Sequence, residues 1–325
     1  MLGAIIAVMG IGMVALPTGI IGSGFMEEIQ RDRNVKLYVL IAAVILKMSN
    51  TEADWRMAVL KKGLFTGDAY HTKEDTPRFL MDRLALNTRL FFMAKFFAVV
   101  LKAKHLALLG RYDREAWIKS SIDMFKLVEG CGGRFHITGY DNLRKCQEPV
   151  VIISNHMSTL ETMIFPCLIA SLMKVTFVVK DSLVKHPFFG PVMRSRNPIV
   201  VSRSNSREDF KIVMAEGQRL LAEGISIIVF PQNTRKADFV AKEFNTLGVK
   251  LAAKAGVQVV PVAIKTDFWE NGKYMKDMGP IKRRKPIYMA FGEPLSITGA
   301  GKEEHKLIVE YISTHQQKWN TGTVQ

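Results

Sequence analysis

The chain has 325 residues, enough for one sizeable α/β domain plus an appendage. With 48% hydrophobic residues and a mean hydropathy of +0.09 it is too polar for a multi-span membrane protein, so one or two membrane-associated segments on a globular body fit best. A formal net charge of +15 points to a polyanionic partner; zinc-finger spacing, an RNA-binding aromatic signature and heptads behind a basic region are missing, which favours an anionic lipid surface over nucleic acid.

Met1 to Met26 carries no charged side chain, long enough for a helix that needs roughly 20 residues to cross a bilayer core. It lacks the basic n-region and cleavage site of a signal peptide. Glu27, Glu28, Arg31, Arg33 and Lys36 follow at once, so the remainder is expected on the cytoplasmic side. Gly10-Ile11-Gly12 and Ala15-Leu16-Pro17-Thr18-Gly19-Ile20-Ile21-Gly22-Ser23-Gly24-Phe25 resemble the pore-lining inner helix of voltage-gated-type potassium channels. There is no selectivity-filter sequence to accompany it, so residues 1–30 read as a transmembrane remnant serving as an anchor.

Leu37 to Met48 is apolar but too short to span, and Ser49 to Pro77 is polar without clear periodicity; together 31–77 read as a linker with a short apolar segment. Over 78–130, apolar clusters (Leu90, Phe91, Phe92, Phe96, Phe97, Val99, Val100, Leu101) mix with Arg83, Arg89, Lys95, Lys102 and Lys104. That composition suits amphipathic helices at a membrane interface, and equally helices packed on the protein core. Cys131, Cys146 and Cys167 lack metal-type spacing and are odd in number, as expected of ordinary thiols in a reducing compartment.

From 131 to about 320 the pattern alternates. Strands are expected at Val150–Ser154, Val175–Val179, Ile199–Val201, Ile225–Phe230, Val257–Ile264 and Ile287–Phe291, with helices between them. The clearest helix is Ser206 to Leu221, capped by Ser206, with Asp209 in its first turn and Gly224 ending it. Strands separated by helices predict an α/β fold, a mixed, mostly parallel sheet covered by helices.

Chemistry concentrates at two strand ends, where ligands gather in open α/β sheets. Asn155-His156 follows the first strand, with Glu161 five residues on. Positions five apart on a helix point about 140° apart, so His156 and Glu161 meet only if His156 sits on the turn and the helix starts near Ser158 or Thr159. Glu161 would then orient the imidazole, a base suited to cytoplasmic pH. The second block, Phe230-Pro231-Gln232-Asn233-Thr234-Arg235, turns off another strand; Arg235 can hold a phosphate bidentately, with Thr234 and loop N–H groups as further donors. Arg203 offers a second guanidinium at the same edge.

Asn-His-x-x-x-x-Glu, Arg203, Phe-Pro-Gln-Asn-Thr-Arg and Val260-Pro261-Val262, in this order and with these gaps, resemble the motifs of the glycerolphosphate and lysophospholipid acyltransferase family, 1-acylglycerol-3-phosphate acyltransferases among them. The resemblance covers roughly Arg134 to Phe291 and includes Phe244-Asn245, Gly248 and Leu251-Ala252. Two departures stand out. Glu161 replaces the family's usual Asp, and Gln232 and Asn233 replace Glu and Gly; Asn, like Gly, tolerates positive φ.

The resemblance implies acyl transfer from acyl-CoA or acyl-carrier protein to a lysophospholipid hydroxyl, in phospholipid biosynthesis at the cytoplasmic membrane. His156 and Glu161 would be catalytic. Asn155, Arg203, Phe230, Pro231, Gln232, Asn233, Thr234 and Arg235 would bind substrate. No metal or redox cofactor is implied. The Gln232 departure keeps a different lipid acceptor open, an amino-lipid or a lipid A precursor. A catalytically silent lipid-binding protein is the remaining alternative, against which intact His156 and Glu161 argue.

Overall fold

The computed structural model describes residues 65–322 apart from 148, 233, 274–276 and 278. The channel-like helix expected at 1–30, most of the linker expected at 31–77, and Asn233 lie outside the described residues. Among the described residues no helix is long and apolar enough to cross a membrane.

The β-branched runs form one sheet. Its strands are β1 (Tyr70–His71), β2 (Phe135–Thr138), β3 (Val151–Ser154), β4 (Val175–Lys180), β5 (Ile199–Val201), β6 (Ser226–Val229), β7 (Val259–Lys265) and β8 (Ile287–Phe291). The spatial order is β1-β2-β8-β7-β3-β6-β4-β5. Only β1/β2 and β7/β8 are antiparallel, so the sheet is mixed and mostly parallel, as its alternation with helices predicts. β3 lies between β6 and β7 and is buried on both faces, which explains its unbroken apolar sequence.

Alternate residues of the central strands feed two cores. Ile152, Ile228, Val260, Val262 and Ile264 face α2 (Leu90–Leu108), α3 (Arg114–Gly130) and α5 (Leu160–Leu168). Val151, Ile153, Ile227, Val229, Val259 and Ala263 face α8 (Ser206–Ala222), α9 (Leu247–Ala255) and α10 (Lys302–Thr321). The short helices α1 (Leu80–Leu84), α4 (Tyr140–Arg144), α6 (Asp181–Lys185) and α7 (Gly190–Arg194) complete the set of described α-helices. Packing of α9 against β3 depends on Gly248: a Cβ there would lie 2.7 Å from Ile153 Cδ1.

Two expectations are revised, and the reading left open for α2 and α3 is narrowed. The end of the presumed linker is sheet: Tyr70 pairs with Ile137, and Phe65 stacks on Tyr70 at 4.2 Å. Helices α2 and α3 are not only interfacial, because Phe92, Phe96 and Ile122 are buried and Phe92 and Phe96 meet the Trp269 indole edge-on at 5.1 and 5.0 Å. Such aromatic pairs contribute about 0.5–1.5 kcal/mol each beyond their buried area. The cap of α8 is Asn205, one residue earlier than expected, its side chain accepting from Arg207 and Glu208 N–H. The helix does end at Gly224, whose φ of +74° only glycine adopts without cost.

Apolar side chains nonetheless remain on the surface where α1 leads into α2. Leu80, Leu84 and Leu86 are 69%, 63% and 83% exposed, and Phe79, Met81 and Leu90 are also in contact with solvent. Arg78, Arg83 and Arg89 are interleaved with them.

Candidate active site

β3 ends at Ser154, and Asn155 through Thr159 form a turn before α5 begins at Leu160. The β3/β7 ladder closes at Ser154–Val262, which would leave the N–H and C=O of Ile264 unpaired on that side. The Asn155 amide takes over: its Oδ1 accepts from Ile264 N–H and its Nδ2 donates to Ile264 C=O, both at 2.9 Å. Asn155 is 2% exposed and both ends of its amide are committed to Ile264. It therefore fixes the turn, and the substrate contact expected of it gives way to a positioning role.

The turn brings His156 and Glu161 together. His156 Nδ1 lies 2.8 Å from Glu161 Oε1. Glu161 is fully buried, and the same oxygen accepts from the backbone N–H of Met157 at 2.7 Å and of Ser158 at 2.8 Å. Its Oε2 lies 2.9 Å from Ser158 Oγ and accepts from Thr266 Oγ1 at 2.7 Å. Burial by itself would raise the Glu161 carboxyl. The hydrogen bond and charge of His156, with Thr266 and the backbone N–H groups, outweigh burial and hold it below the usual carboxylate range. An ionised Glu161 accepts only, so the Nδ1 of neutral His156 carries the proton and Nε2 keeps a free lone pair. The extra methylene of Glu lets one oxygen gather the imidazole and two backbone N–H groups at once.

The second block supports the same imidazole. Phe230, just past β6, stacks on His156 at 4.3 Å and 18°. Phe165 and Phe177 lie nearly parallel to it at 6.0 and 6.2 Å, making an apolar floor. Gln232 is buried, and its Oε1 accepts the His156 backbone N–H at 2.6 Å. This contact explains why Gln can stand where the acyltransferase motif has Glu: the bond needs only an acceptor lone pair. Gln232, expected to touch substrate, holds the His156 backbone instead. Pro231 C=O accepts from Asn245 N–H at 3.3 Å, which ties the loop to the start of α9. Thr234 occupies the turn between these anchors and Arg235.

Arg235 comes within the same turn. Its Nη1 donates to Thr159 Oγ1, the residue capping α5, and to Asp277 Oδ1 at 2.5 Å. Arg203 follows β5 with φ of +59°, a conformation that costs an L-residue about 1–2 kcal/mol. Asp209 of α8 holds it there, Oδ2 accepting Arg203 N–H at 2.7 Å and Oδ1 accepting Ser202 N–H at 2.8 Å. Asp209 lies in the first turn of α8, as the sequence predicts, and its side chain serves this loop. Burial lowers the Arg203 pKa, Asp209 opposes that, and the like charge of Arg235 adds to it. Following the parallel strands β5 and β6, the two guanidiniums stand at the same sheet edge, which suits an anionic guest.

Thr159, Thr266, Asn271 and Asp277 were not singled out in the sequence. Asn271 Nδ2 donates to Met157 C=O at 2.8 Å, so residues after β7 brace the turn from the far side. Thr159 lies inside the Asn-His-x-x-x-x-Glu stretch but was read only as a helix start; Asn271 and Asp277 lie too far from His156 to leave a spacing signal, and Thr266 stands five residues after Pro261. Among the described residues no cluster of His, Cys, Asp and Glu is arranged to hold a metal ion.

Residues 134–265 match the acyltransferase family model. The chain is 28% identical over 191 residues to a 1-acyl-sn-glycerol-3-phosphate acyltransferase of Pseudomonas aeruginosa, covering 59% of this chain and 70% of that one. An enzyme of the same description from Chlamydomonas reinhardtii is 33% identical over 132 residues, 39% of this chain and 37% of its own length. A third, from Haemophilus influenzae, is 27% identical over 52% of this chain and 67% of the relative. The crystal structure of a 1-acyl-sn-glycerophosphate acyltransferase from Thermotoga maritima superposes with a TM-score of 0.55 at 19% identity, over 74% of this chain and 98% of that one, a likeness of fold. The potassium-channel resemblance of residues 1–30 finds no support in these matches.

Proposed function

We propose that this chain is an O-acyltransferase that moves a fatty acyl group from a thioester, acyl-CoA or acyl-carrier protein, to the free hydroxyl of 1-acylglycerol-3-phosphate in phospholipid biosynthesis. One observation carries the reading. An imidazole oriented by a buried carboxylate stands on the same turn whose Thr159 is reached by the Arg235 guanidinium.

His156 Nε2 takes the proton of the acceptor hydroxyl as its oxygen attacks the thioester carbonyl. Glu161 stabilises the imidazolium that forms. As the tetrahedral intermediate collapses, the C–S bond breaks and the imidazolium returns the proton to the departing thiolate. The ester forms, the thiol leaves, and His156 is neutral again. The nucleophile is the substrate's own oxygen, so no acyl-enzyme is required. Arg203 and Arg235 hold the acceptor's phosphate, and such positioning can supply several kcal/mol, on the order of 7–11 at the limit. No cofactor enters this sequence.

The apolar side chains at the start of α2, flanked by arginines, support docking on the cytoplasmic leaflet, where the lipid acceptor resides. Phe92 and Phe96 of the same helix pack on Trp269, three residues beyond the Thr266 that bonds Glu161.

The test is transfer of labelled acyl groups from acyl-CoA to lysophosphatidic acid and to a panel of other lysolipids and amino-lipids. His156→Ala is expected to remove turnover on the accepted substrate, and Arg235→Ala to raise the KM for phosphate-bearing acceptors. Turnover by His156→Ala close to the unaltered protein's would exclude the proposed base.

A further inference from the structure

Arg235 already has an anion on it, and the anion is part of the chain. Asp277 Oδ1 accepts from Arg235 Nη1 at 2.5 Å and from Thr159 Oγ1 at 2.5 Å. The carboxylate thus sits at the mouth of the catalytic turn, two residues from Glu161 by way of Thr159. The excursion that carries it is pinned at its base. Glu270 N–H donates to Pro280 C=O at 3.1 Å, Trp269 bridges Ile281, and Asn271 bonds the Met157 carbonyl. A Cβ on Gly279 would lie 1.8 Å from Glu270 C=O, so the base closes only with glycine there.

We propose that Asp277 is a resident competitor for the headgroup site: the acceptor's phosphate reaches Arg235 by displacing this carboxylate, and Asp277 thereby sets the affinity for every ligand whose phosphate binds at Arg235. This rests on the reading that Arg235 holds the acceptor's phosphate. Accessibility favours the exchange, because the Asp277 side chain is 40% exposed whereas Arg235 is 18% exposed. The carboxylate is the solvent-side partner and can turn outward while the guanidinium stays. Charge favours it too. A phosphate dianion brings Arg235 one more negative charge than the carboxylate it replaces. Although burial acts to raise the Asp277 carboxyl, the charge of Arg235, the hydrogen bonds from Thr159 and Arg235, and nearby His186 hold it low, so it competes as an anion at neutral pH.

A shared competitor weakens all its rivals by one common factor. Asp277→Asn keeps the shape and removes the charge, so it is expected to lower the KM for lysophosphatidic acid and the inhibition constant of inorganic phosphate by the same ratio. Exchange of one half-exposed ion pair corresponds to roughly fivefold. Neither the KM for acyl-CoA nor that for a phosphate-free monoacylglycerol should follow, so preference for phosphate-bearing acceptors rises by that factor. Asp277→Ala should move both constants in the same direction. If Asp277 merely holds Arg235 in place, both substitutions raise the acceptor KM, and that result overturns the inference. An unchanged KM for both overturns it as well. Arg235→Ala separates the two levels: if it raises the acceptor KM while the Asp277 variants give no gain, only the competitor role falls; if it changes nothing, the headgroup reading itself falls.

Discussion

Glu161→Gln isolates what the buried charge contributes. The amide fits the carboxylate's space and can satisfy the same neighbours. Its oxygen must face Met157 and Ser158, whose backbone N–H groups only donate, so it still accepts from His156 Nδ1. The NH2 then falls where Oε2 lies, against Ser158 Oγ and Thr266 Oγ1, hydroxyls able to turn and accept. Geometry and tautomer are kept, and the loss is the attraction between carboxylate and developing imidazolium. Unit charges about 4 Å apart at an effective dielectric of about 20 attract by roughly 4 kcal/mol, an upper bound. Charge-assisted hydrogen bonds contribute about 1.5–3 kcal/mol. A fall in kcat of about 10- to 10²-fold follows, with a ceiling near 10³-fold, at 1.36 kcal/mol per decade. Steady-state release of free thiol from acyl-CoA, with lysophosphatidic acid saturating, measures it. Turnover within threefold of the unaltered protein would refute the claim that this carboxylate stabilises the transition state.

Asn155→Ala should act on stability first: it strands the buried N–H of Ile264, whose C=O keeps the Gln316 amide, at about 1–3 kcal/mol, which urea unfolding would detect as a lower midpoint. Gln232→Glu retains an acceptor for His156 N–H whereas Gln232→Leu removes it. Leu should therefore lose about 1–3 kcal/mol of stability, together with activity, and comparison of the two variants' melting and turnover checks that ordering. Glu161 has a folded-state pKa below its unfolded one, so the stability it contributes is present above the ordinary glutamate value of 4.5 and lost as pH falls through the lower folded value. Acid titration of unfolding should accordingly show a steeper loss below about pH 4 in the unaltered protein than in Glu161→Gln.

Strands β5 and β8 begin and end where their β-branched runs do, and β3, β4, β6 and β7 differ from expectation by only a residue or two at their ends. β2 was missed because Phe135–Thr138 is a four-residue run carrying His136, and β1 because two residues hold no period at all. The His156–Glu161 pairing was legible because helix geometry leaves one solution, a helix starting just past the histidine, and α5 starts at Leu160 with Thr159 as its cap. The duties of Asn155 and Gln232 were not legible. A motif shows that an amide belongs there, but its partners lie 109 and 76 positions away, and only the sheet order brings them close. Asp277 belongs to no motif at all.

The Thr266–Glu161 bond spans 105 positions, and the Asn155 clamp spans 109. On the ribosome, then, the catalytic turn lacks its partners on the β7 side until synthesis has passed Ile264 and Thr266. Until that moment β3, apolar on both sides, lacks one of its neighbours and is an exposed edge prone to association. Competence for chemistry thus arrives late in synthesis, and the nascent chain's need for shielding is greatest just before it.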